Sequence, residues 1–170
     1  RIIVSGHGRG NVGSKSPPEF AVVLWDAGSG RRVKTLEGHT DDVTAVALAS
    51  DAKRALSASF DSSIRLWDVS KAEMLHQYDF RRGVVLPALR DEKTGANIKL
   101  LMGVAFSPDG KRAVMGAAGI VSYQDVVDLS ELLSLKGHKD EIVECLAFTP
   151  DGSKVFSAGG DKVVRLWKLN

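Results

Sequence analysis

The sequence predicts an all-β fold built from a repeated four-stranded sheet, and two observations predict it. The first is a phrase that returns. Gly38-His39-Thr40 is followed, 28 residues after the histidine, by Leu66-Trp67-Asp68. Gly137-His138-Lys139 is followed, 29 residues after its histidine, by Leu166-Trp167-Lys168, and Leu24-Trp25-Asp26 has the same ending. The second is a strand pattern that recurs at the same interval. A period of about 40 residues with Gly-His near its start and Trp-Asp at its end marks the four-stranded antiparallel blade of a β-propeller.

The strands follow in order. Residues 1–5 read as the second strand of a first blade, with 20–24 and 33–36 as its third and fourth. The runs 43–49, 101–106 and 142–148 are apolar and β-rich. Each leads into a turn: Ser50-Asp51-Ala52-Lys53, Ser107-Pro108-Asp109-Gly110 or Thr149-Pro150-Asp151-Gly152. Proline presets φ for the first central turn position and glycine accepts positive φ after it, so Pro-Asp-Gly between apolar runs marks a tight hairpin. The second strands are 54–59, 112–117 and 154–158, and the outer strands 75–78 and 132–135. The last strand is 163–169. In the third unit Val121-Ser122-Tyr123-Gln124-Asp125-Val126 reads like Ile64-Arg65-Leu66-Trp67-Asp68-Val69, so Gln124 takes the tryptophan position. The expected layout is about 14 strands over four blades, with units near 1–36, 37–80, 81–136 and 137–170. Both end blades are expected to be incomplete, as in a piece of a longer protein.

The Gly-His, Ser-Pro-Asp-Gly, Ser-Ala-x-x-Asp and Arg-Leu-Trp-Asp pieces together resemble the WD-repeat family, over essentially the whole chain. The resemblance implies a non-catalytic scaffold that binds other proteins or peptides. The alternative is the regulatory or targeting part of a larger enzyme whose catalytic domain lies outside these residues, as in bacterial kinase fusions.

Composition narrows the partners. Lys and Arg number 23 against 21 Asp and Glu, a net charge of +2. Nucleic acid or an anionic membrane calls for a concentrated basic face, which this balance does not supply. No apolar run approaches the ~18 residues that cross a bilayer. No metal-ligand spacing appears, and no cofactor is expected. Cys145 is the single cysteine and is expected to be a small buried side chain on an inner strand.

His39, Ser57, Asp61 and Trp67 form one polar set, and His138, Ser157, Asp161 and Trp167 repeat it. Ser, His and Asp together suggest a nucleophilic triad. The set occurs twice at the structural period, and neither serine stands in a Gly-x-Ser-x-Gly elbow. The resemblance implies instead that histidine, second-turn Asp, second-strand Ser and third-strand Trp form a hydrogen-bonded chain inside each blade. The third unit departs from this, with Gly116 where serine is expected and Gly83-Val84 in place of Gly-His. In the first unit Ser5 and Trp25 stand 20 residues apart, and the histidine is expected to be missing.

The first unit's insertion contains Gly8-Arg9-Gly10-Asn11-Val12-Gly13 and then Lys15-Ser16. Both nucleotide motifs it resembles need a helix directly after them. Pro17-Pro18 and a β-strand follow, so the segment reads as a hairpin loop. The family architecture implies a top face of Gly-His connections and second turns. Candidate partner-binding residues there are Phe60, Asp41, Asp42, Lys139, Asp140 and Glu141, with Arg9 and Lys15 of the insertion. Phe60 either anchors a partner or packs sideways on the next blade.

Overall fold

The computed structural model of the chain describes residues 1–8, 19–79, 101–117, 119–128, 130–139 and 141–169. Arg9, Lys15, Asp140 and the insertion at 83–99 lie outside the described residues. Fourteen antiparallel strands are described, in four sheets that each run as a simple meander. Strands β1 (Ile2–Gly6), β2 (Val22–Asp26) and β3 (Arg32–Leu36) form the first blade. The second holds β4 (Val43–Leu48), β5 (Arg54–Ser59), β6 (Ser63–Asp68) and β7 (Glu73–Asp79). The third holds β8 (Gly103–Phe106), β9 (Arg112–Gly116), β10 (Ile120–Asp125) and β11 (Glu131–Lys136), and the fourth β12 (Val143–Phe148), β13 (Lys154–Gly159) and β14 (Val164–Lys168). The four-blade, all-β expectation and the three-stranded end blades are what the structure contains.

The blades stack through their broad faces, with β4 beside both β1 and β8, and β8 beside β12. Alternation along each strand sends neighbouring side chains to opposite faces. On blade 2, Ala55, Trp67 and Val69 pack against Val22, Leu24 and Leu36 of blade 1. Its other face carries Leu56, Ile64 and Leu66 against Leu101, Val104, Ala113 and Met115 of blade 3. Val114 and Val121 of blade 3 meet Val143, Val155 and Trp167 of blade 4. Each large side chain buried in this way contributes roughly 1.5–3 kcal/mol, so the stacked faces form the core of the molecule.

The third and fourth strands slip by one residue at the same place in three blades: between Leu24 and Trp25, Leu66 and Trp67, and Tyr123 and Gln124. Such a bulge bends the strand and re-aims the next side chain. The lower rim is tied between blades: Ser50 Oγ donates to Pro108 O at 2.9 Å, and the Arg54 guanidinium donates to Gly110 O at 2.8 Å.

Register corrects one assignment. Ser57 pairs with Arg65, and the equivalent pair in blade 3 is Met115 with Ser122. Met115 therefore holds the serine position, and Gly116 stands level with Ala58. Gly116 has another duty: a Cβ there would lie 2.8 Å from both Val143 Cγ1 and Val143 O. Its bare Cα lets blade 4 approach. Cys145 is also corrected, being exposed rather than buried. Its side of β12 has no neighbouring blade among the described residues.

Candidate functional site

The repeated polar set converges inside blade 2. His39 enters from the Gly-His turn, Ser57 stands mid-strand on β5, Asp61 sits in the β5–β6 turn, and Trp67 is on β6. Trp67 Nε1 donates to Ser57 Oγ at 2.8 Å. Ser57 Oγ lies 2.7 Å from His39 Nε2, and His39 Nδ1 lies 2.7 Å from Asp61 Oδ2. Because Ser57 accepts from the indole and Asp61 accepts from Nδ1–H, the neutral tautomer lets the Ser57 hydroxyl donate to Nε2. Trp67 and the imidazole meet edge to face, 6.2 Å between ring centroids.

Asp61 is fixed from several sides. It also accepts from Ser63 Oγ at 2.7 Å and from the Thr40 amide at 3.1 Å. Burial opposes ionisation of Asp61, but the bonds from His39, Ser63 and the Thr40 amide outweigh it and hold the carboxyl well below the usual carboxylate range.

Blade 4 repeats the chain. Trp167 Nε1 donates to Ser157 Oγ at 2.7 Å, Ser157 Oγ is 2.7 Å from His138 Nε2, and His138 Nδ1 is 2.8 Å from Asp161 Oδ1. Burial again opposes ionisation, and bonds from His138, Arg165 and the Val163 amide win, lowering Asp161 to about 2.

Sequence reasoning missed two arginines and one histidine. Arg165 Nη1 donates to Asp161 Oδ2 at 2.6 Å. Arg65 lies over the Trp67 ring, 5.9 Å from its centroid, with its guanidinium 3.9 Å from Asp61. Both stand two residues before the tryptophan, a repeat visible in the sequence. Arg65 also accounts for the glycine of Gly-His: Gly38 has φ +143°, and a Cβ on it would run into the Arg65 guanidinium.

The missing histidine of blade 1 is supplied from inside the insertion. Trp25 Nε1 donates to Ser5 Oγ at 2.8 Å, and Ser5 Oγ lies 2.8 Å from His7 Nε2. Residues two apart at the end of a strand share a face. His7 thus arrives from the serine's own strand rather than from a preceding connection.

The repeat matches the WD domain, G-beta repeat family over residues 30–68 and 129–168. The chain carries WD repeats. The nuclear distribution protein PAC1 of Arthroderma benhamiae is 28% identical, covering 95% of this chain and 36% of its own length. The guanine nucleotide-binding protein subunit beta of Zea mays is 26% identical, over 89% of this chain and 39% of its own. The small ribosomal subunit protein RACK1 of Schizosaccharomyces pombe is 31% identical, over 88% of this chain and 59% of its own. The chain thus spans 36% to 59% of the length of these relatives.

As a WD-repeat unit, blade 3 is altered. Gln124 pairs with Ala113 as Trp67 pairs with Ala55, which fixes it in the tryptophan place. Gln124 Nε2 donates to Ser122 Oγ at 3.0 Å, and Ser122 Oγ donates to Glu131 Oε2 at 2.6 Å. Among the described residues, the buried Gln124 Oε1 has no hydrogen-bond partner.

The residues expected to face a partner gather on the upper rim. Phe60 N donates to Asp42 O at 3.0 Å and Ser59 Oγ to Asp41 O at 2.9 Å, so the Gly-His turn and the second turn of blade 2 form one surface. Phe60, Asp41 and Asp42 are half-buried, whereas Lys139 and Glu141 are exposed. Glu141 O accepts from Gly119 N at 2.6 Å, which ties the rim of blade 4 to blade 3. Among the described residues, no cluster of three or more His, Cys, Asp or Glu side chains could hold a metal ion. No helix of the described residues is long and apolar enough to cross a membrane.

Proposed function

We propose that the chain is a non-catalytic interaction scaffold that binds other proteins or peptides through its upper-rim loops. The burial of Ser57 carries this reading. Ser57 is fully buried, and its Oγ is engaged by both the Trp67 indole and His39. A nucleophile must meet an electrophile at about 3 Å with room for the rest of the substrate. No carbonyl or phosphoryl group reaches Ser57 without displacing Trp67. Repetition supports the same reading, since equivalent atoms meet at equivalent distances in blade 4. The polar chains serve the blades: each buried donor has a partner, and a fully satisfied network specifies one packing.

Recognition then falls to side chains on the rigid rim, where loops often carry binding. Phe60 supplies an apolar surface beside the Asp41–Asp42 turn, and Lys139 and Glu141 stand two blades further along the rim. Arg9, Lys15 and Asp140 are proposed to take part in the same binding. The names of two relatives, a G-protein subunit and a ribosomal subunit protein, are those of components of larger assemblies. The test is affinity capture from the source cells with the native chain and with a Phe60→Ala, Asp41→Lys double variant. The native chain is expected to retain a defined protein that the double variant loses while its melting temperature stays within about 2 °C of native, as for a surface change. Identical captures from both would refute the assignment of this rim.

A further inference from the structure

Blade 3 lacks a cation that blades 2 and 4 keep. Register places Ser122 where those blades have Arg65 and Arg165, and Gln124 where blade 2 has Trp67. Arg65 and Arg165 each set a guanidinium beside the aspartate of the second turn, at 3.9 Å and 2.6 Å. The second turn of blade 3, Ala117-Ala118-Gly119, has no carboxylate. Its carboxylate comes from the outer strand instead, where Glu131 of β11 reaches Ser122 Oγ at 2.6 Å. Blade 3 has thus exchanged an arginine and an indole for two shorter side chains and kept a negative charge.

The exchanged groups run as a chain of bonds from the core to the surface. Gln124 is 2% exposed, its Nε2 donates to Ser122 Oγ, and Ser122 donates to the exposed Glu131. Among the described residues, Gln124 Oε1 has no partner and Glu131 forms no ion pair. Folded chains seldom leave a buried acceptor unused, and one that adjoins an unpaired carboxylate suits a donor that carries charge. The facing wall belongs to blade 2. Tyr78 of β7 packs on the core between the two blades, and its phenol is pushed up by burial and by the Glu131 charge. Asp128, in the turn before β11, is held below the ordinary carboxylate value mainly by bonds from Ser130, with a smaller pull from His76 of β7. Both carboxylates therefore lie on the side of blade 3 that faces β7.

We infer that the groove between β7 and β11 binds an arginine side chain of a basic peptide, which returns to blade 3 the guanidinium that Ser122 replaced. The guanidinium pairs with Glu131, Asp128 adds attraction, and a further N–H is left for Gln124 Oε1. Arginine offers five donors in one plane and stacks on an aromatic face such as Tyr78, which a lysine ammonium does not match. The turn that holds Asp128 is bonded to the lower rim, with Val126 N donating to Lys111 O at 3.1 Å. The groove is therefore a second surface, independent of the upper-rim binding proposed above.

The test is fluorescence anisotropy of a labelled Gly-Arg-Gly-Arg-Gly peptide titrated with the native protein, beside the same peptide carrying citrulline or lysine in place of arginine. The arginine peptide is expected to bind about tenfold or more tightly than the citrulline peptide, which keeps the shape and loses the charge. It should also bind more tightly than the lysine peptide. Glu131→Gln is expected to weaken binding by about tenfold while the melting temperature stays within about 2 °C of native, because glutamine still accepts from Ser122. Gln124→Leu should weaken binding by about threefold, the loss of one hydrogen bond. Glu37→Gln removes an exposed carboxylate after β3 and should leave binding unchanged. Equal binding of the arginine and citrulline peptides, or equal losses from Glu131→Gln and Glu37→Gln, would overturn the inference. Equal binding of the arginine and lysine peptides would overturn the choice of a guanidinium.

Discussion

Replacing Ser57 by alanine removes one oxygen that two buried groups share. Trp67 is 1% exposed and the His39 side chain 0% exposed, so neither Trp67 Nε1 nor His39 Nε2 gains water when the hydroxyl goes. A buried polar group left without its partner costs about 1–3 kcal/mol. Two such groups at the lower half of that range give a loss of about 3 kcal/mol. For a chain of this length each kcal/mol lowers the melting temperature by roughly 2–4 °C, so the expected fall is roughly 6–12 °C. The same change at Ser5 is the control. Trp25 and His7 are only half-buried, so water replaces the hydroxyl and the cost stays under about 1 kcal/mol. Ser157→Ala should fall between them, because His138 is fully buried while Trp167 is half-buried. Urea denaturation followed by tryptophan fluorescence reads all three, with one tryptophan in each affected blade. Equal losses at Ser5 and Ser57 would refute the reasoning, since burial alone separates the two sites.

Stability should also depend on acid in a defined direction. Asp161 falls from 3.8 to about 2 in the folded chain, and Asp61 is lowered further by its own partners. A carboxyl with a depressed folded pKa adds stability that is present above its unfolded pKa and is lost as pH falls through the folded value. Melting temperatures should therefore hold between pH 7 and 5 and drop between about pH 4 and 2, and Asp161→Asn should flatten part of that drop. Gln124→Leu should leave the melting temperature unchanged or raise it, because it deletes the unpaired Oε1 while Ser122 keeps its bond to Glu131. A fall of more than about 1 kcal/mol in a urea titration would show that the amide holds blade 3 together.

The blade count, the strand order and the two complete polar sets were legible because each rests on a local pattern repeated at one period. Three features were not. Met115 and Gly116 are adjacent, and a slip of one residue exchanges the faces of a strand, so only the observed pairing tells which of them replaces the serine. His7 was hidden because the repeat places its histidine before the second strand, whereas this one follows it. The exposure of Cys145 depends on whether another sheet packs on that face. A strand's own sequence reports that it has an apolar side, not what lies against it.

The origin of His7 bears on the order in which the molecule is made. In blade 2 the polar chain spans His39 to Trp67, and its first member lies in the connection from the preceding blade. In blade 1 the chain of Ser5, His7 and Trp25 closes within the first sheet. The ribosome delivers blade 1 before blade 2, and chains commonly begin to fold in that order. The first hairpin can therefore satisfy its indole and imidazole once Trp25 has cleared the exit tunnel, before any of blade 2 exists. It then offers the emerging β4 a surface already set.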